Sequence, residues 1–498
     1  MVFNSWTFLV FFLLVLILHN FSLDWTKKKA NLLIASYIFY AAWNPPFVVI
    51  LWVTTLVDWF VAKHLFRAMQ PRRRQLLLMV SLIGNLGLLG YFKYGSFLLD
   101  NFVLLAAELG INYRPAAANI VLPIGISFYT FVTLSYTIDV YRKEITPAKS
   151  FLDFALLVTF FPHLVAGPIL RANKFLSQCE LPCRANGKQL GWGVALIIIG
   201  LFEKVFLADG LLAPVADQVY TSVLDAGKLD AWSGTLAFSG QIFLDFDGYS
   251  LCAIGAAMCL GFVFPDNFRF PYAAVGFSDF WQRWHISLSS WLRDYLYIPL
   301  GGNRKGGFRT YTNLMLTMLI GGLWHGASWR FVAWGGLHGC YLIIERLIHS
   351  VFSIFSVGSS VKGPFFGEGL LKSGVSAGYQ FGYVFTAVGK FALGLLTYLL
   401  VCLTWVFFRA QSFSDALAIF RAMFAGGSGH LNLGYYAIGS VFLITIGLLL
   451  FHWLLKDSSL EEFIYRMPNW MRVVLLITLL CGIAIAPGDE RAFIYFQF

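Results

Sequence analysis

From Tyr311 to Ile344 the chain carries no acidic or lysine side chain, and near the middle of that run stands His325, in the string LMLTMLIGGLWHGASW. A stretch this apolar suits the hydrocarbon of a bilayer, where backbone groups must bond within their own segment, so it is read as helical. An ionisable side chain is costly there and is usually kept for a purpose. The chain therefore reads as a membrane enzyme built around His325.

The remainder agrees. The 498 residues are 58% hydrophobic and only 12% charged, whereas soluble domains carry roughly 25% charged residues. The expected fold class is all-α, a polytopic integral membrane protein. Aromatics reach 18%, many near span ends where amphipathic rings favour the headgroup layer. The net charge of +10 comes from short Lys/Arg clusters between apolar runs, which fits cytoplasmic loops and not a basic face for nucleic acid. Seven cysteines, an odd number lying mostly in apolar runs, imply no disulfide framework. Cys179 and Cys183 form a C-x3-C pair without a neighbouring histidine, so ordinary thiols are expected and no metal site is assigned.

Trp6 to Leu18 lacks a basic region before it and a cleavage site after it, and reads as an uncleaved first helix with its N-terminus outside. The clusters at 27–29, 63–74 and 142–149 face the cytoplasm. Pro45-Pro46 divides the intervening residues into a hairpin. Spans are expected at 76–92, 95–109 and 119–139, then a re-entrant segment at 152–170. The 208–231 loop holds four aspartates against one lysine and belongs outside, whereas 265–310 holds six Lys/Arg and belongs inside. Residues 232–264 then cross once, as a span broken at Asp245-Phe246-Asp247-Gly248. Further spans fall near 329–349, 381–407, 434–456 and 470–487, with a Gly- and Ser-rich segment at 350–380. The total is about eleven transmembrane helices in one membrane domain over 1–498.

Polar chemistry gathers in the 265–310 segment, especially Asp279-FWQRWHISLSSWLRDYLYIPLGG-Asn303. One reading is an amphipathic helix lying in the interface, its arginines snorkelling. The other makes Arg283 and Arg293, with Asp294, part of a cytoplasmic anion site beside the turn Gly301 to Gly307, suited to the phosphates of a large donor. The 311–349 segment carries His325, about 24 Å along a helix rising from Arg309. A neutral histidine bonded to a carbonyl is the plain alternative. Gly321, Gly322 and Gly326 allow close approach of a chain or ligand, and Trp324 supplies an apolar tunnel wall. His338, His349 and His452 are taken as structural.

The strings FWQRWHISLSSWLRDYLYIPLGGN and LMLTMLIGGLWHGASW, with PIGISFYTFVTLSYTIDVYR, LVAGPILRAN and FIYFQF, resemble the membrane-bound O-acyltransferase family over essentially the whole chain. The likeness is to the bacterial branch that contains the alginate O-acetylation membrane subunit, its cellulose-acetylating relatives and the teichoic acid D-alanylation protein. It implies a rim of helices, with re-entrant and interfacial pieces, around a central tunnel joining a cytoplasmic donor to an external acceptor. His325 matches the family's catalytic histidine and His285 the second polar position. In DFDGYSLCAIG, Asp247 stands where relatives have serine and Leu251 where they have an acid. Asp245 with Tyr249 remains a candidate for the tunnel wall.

The implied chemistry is acyl transfer. His325 is expected to act as general base on an acceptor hydroxyl, while His285 or a nearby dipole supports the oxyanion. No bound cofactor is expected; acetyl-CoA is the expected donor substrate. A polysaccharide, alginate before cellulose, is the expected acceptor, with an external SGNH-type acetyl-handling partner and a bacterial inner-membrane location. Two other classes remain open: a transporter relaying protons through His325 and His163, and a scaffold of a secretion complex.

Overall fold

The computed structural model describes residues 1–113, 115, 120–355, 387–426, 429, 433–486, 491 and 493–494. Most of the Gly- and Ser-rich segment and the start of the 381–407 span lie outside the described residues. Every regular element among the described residues is a helix. Among the described residues seven helices are long and apolar enough to cross a membrane, and Trp6–Asn20 and Asn469–Ile485 are shorter apolar helices.

Three sequence expectations change. Residues 76–109 form no pair of spans but part of one helix, Pro71–Glu108, of 38 residues and ~57 Å; its only proline is at the start, where proline is tolerated. The break expected at Asp245–Gly248 is absent, since Lys228–Cys259 is one continuous helix of 32 residues. The irregular winding lies one helix earlier, where Phe202–Leu212 forms a π-helix. The 208–231 stretch is also largely helical, with Ala213–Thr221 following directly. Three of its four aspartates have partners: Asp209 with Lys204, Asp217 with Arg409 at 2.6 Å, and Asp230 with the Gly227 amide at 2.9 Å.

Two compact units divide the chain. The first comprises Met1–Leu201, Gly248–Pro265 and Glu490–Phe498. Pro45 and Pro46 separate Trp25–Ala41 from Phe47–Arg67, giving the expected hairpin. A buried network ties three helices: Asp58 accepts from Ser81 and from Asn85, and Thr133 donates to Asn85. Residues 152–170 form two short helices, Phe151–Thr159 and Phe161–Leu164, and are buried from 154 to 170. Gly200 packs so closely on Gly248 that a Cβ would lie 2.3 Å from the Gly248 carbonyl oxygen. Gly248 thus serves helix contact where a helix break was expected.

The second unit comprises Phe202–Asp247 and Asp266–Asp489. Its centre is the helical pair Gly307–His325 and Trp329–Phe355. Cβ atoms at Gly322 and Gly335 would lie 2.2 Å from the carbonyl oxygens of Phe331 and Met318. The glycines next to His325 therefore admit the following helix.

Residues 270–297 depart from the single interfacial helix. They form Phe277–Arg283, Ile286–Leu292 and a π-turn at Arg293–Tyr297, broken at His285. Three long helices hold this segment by its backbone. Glu345 accepts from the amides of Phe277 and Ser278 at 2.7 and 3.0 Å, Thr397 from Gly276 at 3.0 Å, and His452 from Tyr272 at 3.2 Å. With so many main-chain bonds inside the protein, the aromatics turn inward: Phe280, Trp281, Trp284 and Trp291 are all buried.

Candidate active site

His325 ends its helix, and Gly326 leaves it in extended backbone. The residue is 2% exposed. Three aromatic rings surround the imidazole: Trp324 at 4.9 Å, Trp334 at 5.0 Å and Phe408 at 5.3 Å, each steeply inclined to it. Trp334 in turn stacks on Trp405 at 5.6 Å. On these sides the ring meets an aromatic, dry and polarisable wall.

The His285 ring also meets Trp324, 6.0 Å from the indole. Phe246 lies against it at 4.6 Å. Its Nδ1 bonds Asn267 Oδ1 at 3.0 Å, and the Ser287 hydroxyl donates to the same oxygen at 2.8 Å. The Ser287 amide, which can only donate, also reaches that atom at 3.4 Å, so it is the amide oxygen and His285 Nδ1 carries the proton. Nε2 then presents a lone pair, buried and without a hydrogen-bond partner among the described residues. Burial pushes the His285 pKa down to about 3, which keeps the ring neutral at physiological pH. A neutral ring with its lone pair at Nε2 offers no donor to an oxyanion there, so the support expected from His285 must come from elsewhere.

The arginines of the anion reading are already engaged. Arg283 donates through Nε to Asp279 at 2.7 Å and through Nη1 to the carbonyls of Lys456 at 3.0 Å and Arg269 at 3.4 Å. Its fork fastens Phe277–Arg283 to the end of Tyr435–Leu455. Arg293 pairs with Asp294 through Nε at 2.7 Å and Nη2 at 3.3 Å, both side chains being about one-third exposed. This pair is the more accessible of the two.

Asp245 is buried and forms an ion pair with Lys204, which also bonds Asp209 at 3.0 Å. Tyr249, a turn further along the same helix, packs on Phe3 at 4.6 Å and Phe493 at 4.8 Å. His338 bonds Thr404 at 3.0 Å and His452 accepts the Tyr272 amide, as expected of structural histidines. Sequence reading missed Lys204, Trp334, Phe408 and Asn267. Lys204 alone gave a signal, a lysine inside an apolar run.

Asn267 thus holds the His285 ring, which packs on the same Trp324 indole that lies against His325. The sequence pattern of MBOAT, the membrane-bound O-acyltransferase family, matches residues 77–381. The chain is 40% identical over 435 residues to the probable alginate O-acetylase AlgI of Pseudomonas putida, covering 87% of this chain and 82% of that protein. It is 34% identical over 454 residues to the peptidoglycan O-acetyltransferase of Helicobacter pylori, covering 85% and 80%. With the teichoic acid D-alanyltransferase of Streptococcus thermophilus it shares 28% identity over 255 residues, covering 49% and 60%. A helical fold with seven helices among the described residues long and apolar enough to cross a membrane, together with these matches, leads to one assignment: the chain belongs to the membrane-bound O-acyltransferase family.

Proposed function

We propose that this enzyme moves acetyl groups from acetyl-CoA on the cytoplasmic side of a bacterial inner membrane to a polysaccharide outside, with alginate as the polymer. The carrying observation is His325, buried in its aromatic box one indole from the oriented His285. Alginate and peptidoglycan are the polymers named for relatives at 40% and 34% identity, and a glycan hydroxyl is the acceptor chemistry they share.

In this mechanism His325 takes the acceptor hydroxyl proton as the oxygen attacks the acetyl thioester carbon. The new C–O bond forms, the C–S bond breaks, and the proton passes to the departing thiolate. The oxyanion needs a donor near His325. The Trp334 indole N–H is suited to this, being buried and without a hydrogen-bond partner among the described residues. His285 Nε2 serves as an acceptor that orients a substrate N–H, O–H or S–H. Arg293 with Asp294 is the proposed contact for the donor's phosphates, and Asp245, Tyr249 and Trp324 are assigned to the substrate path. An SGNH-type acetyl-handling protein outside the membrane is the proposed partner, supplied together with the polymer in the assay below.

The test is transfer of radiolabelled acetyl from acetyl-CoA by purified protein in proteoliposomes, with alginate inside or outside. Label in the polymer, lost in the His325→Gln variant, supports the proposal. Undiminished transfer by that variant overturns the assignment of His325.

A further inference from the structure

We propose that Asn267 is a positioning residue that fixes the tautomer and ring orientation of His285, so that Nε2 is the nitrogen offered to substrate. This rests on the acyl-transfer reading for its consequence, but the positioning itself is a matter of hydrogen bonding.

His285 has φ 42°, a left-handed conformation that strains a residue with a Cβ. Such strain persists only where the surroundings over-determine it, and Asn267 supplies that constraint twice. Its main-chain oxygen accepts the Ile286 amide at 2.8 Å. Its side-chain oxygen gathers His285 Nδ1, the Ser287 hydroxyl and the Ser287 amide. Asn267 is 1% exposed and His285 0%, so no solvent competes. A ring so held cannot exchange tautomers without leaving a buried donor unmet. Of its two nitrogens, Nε2 is then the one left without a hydrogen-bond partner among the described residues.

Among the described residues no charged group, Asp247 beside Phe246 included, contributes to the lowered pKa of His285, which burial alone causes. Phe246, Phe268 and Trp324 flank it. Along the Lys228–Cys259 helix Asp245 is paired with Lys204. Asp266 is exposed, Arg283 is turned to Asp279, and His325 lies beyond Trp324. A carboxylate placed at 267 would therefore be the dominant charge acting on the ring.

Solid-state ¹⁵N spectra of protein labelled at histidine test the positioning, the His285 signal being the one removed by His285→Gln. The native protein is expected to show a neutral ring protonated at Nδ1, and Asn267→Ala a mixture of tautomers. In acetyl-transfer assays Asn267→Ala is expected to lower kcat roughly 10²-fold with little change in KM for acetyl-CoA. Asn267→Asp keeps an acceptor oxygen, so it should retain the Nδ1–H signal and recover activity at alkaline pH. Its added charge favours imidazolium, moving the acid limb of kcat to higher pH. An unchanged His285 signal in Asn267→Ala, or kcat within about twofold of native, overturns the proposal. Should the alanine variant not fold, an Asn267→Asp pH profile superimposable on the native one overturns it equally. If the native protein transfers no acetyl, the acyl-transfer reading falls while the spectra still decide the positioning.

Discussion

Replacing His325 separates chemistry from packing, because the two losses have different sizes and different readouts. Loss of a general base lowers the rate roughly 10²- to 10⁴-fold, or about 3 to 5 kcal/mol of transition-state stabilisation. His325→Ala also empties a site 2% exposed and packed against Trp324, Trp334 and Phe408. Large-to-small changes in such sites cost about 2 to 5 kcal/mol of stability, a sizeable part of the roughly 5 to 15 kcal/mol a protein has. His325→Gln keeps most of the volume and a polar end, so its packing loss should be well below that of alanine. The assay is acetyl content of the secreted polymer together with detergent-solubilised protein from the same cells. Glutamine is expected to abolish acetylation at near-native abundance, and alanine to abolish it with some loss of protein. Activity per folded molecule that stays near native in the glutamine variant would refute the catalytic reading and leave His325 a structural group.

Arg283→Ala should lower thermal stability by about 1.5 to 3 kcal/mol, the worth of bonds involving a charged group, with the apparent affinity for acetyl-CoA unchanged. Arg293→Ala should instead raise KM for acetyl-CoA, and steady-state kinetics showing no change would end the phosphate role. Gly322→Ala, whose Cβ would lie 2.2 Å from the Phe331 oxygen, should lose most folded protein in size-exclusion profiles, whereas Gly84→Ala, with nothing within 4 Å, should match native. A cysteine at Ser222 should react with an impermeant reagent from the periplasm and one at Asn303 should not; labelling of both would remove the cytoplasmic donor site.

The fold class and the principal histidine are legible in the order of the residues. A long run without acidic or lysine side chains admits little but membrane helix, and an ionisable residue within it stands out because its desolvation must be justified. Pro45-Pro46 is legible for a similarly local reason, since proline removes a backbone donor at a fixed point. Helix continuity is less so. Two aspartates and a glycine between 245 and 248 suggest a break, but Lys204 neutralises Asp245 and Gly248 accommodates a neighbouring helix at Gly200. Those partners lie 41 and 48 positions away along the chain, and no periodicity announces them.

The arginines show the same division. Their number and clustering mark 265–310 as polar and basic, yet whether a guanidinium meets a ligand or the protein's own carbonyls depends on which chain ends are brought beside it. Arg283 meets Asp279 and the Lys456 carbonyl. The role of His285 turns on a finer matter still, which of its two nitrogens holds the proton. The sequence by itself determined solvent and helical class and singled out His325 as a candidate, because those follow from the transfer energies of side chains along the chain. Tertiary structure alone decided which polar atoms are satisfied, through Asn267 for His285 and through Asp279 for Arg283, because hydrogen bonds form over about 3 Å between residues that no sequence spacing brings together.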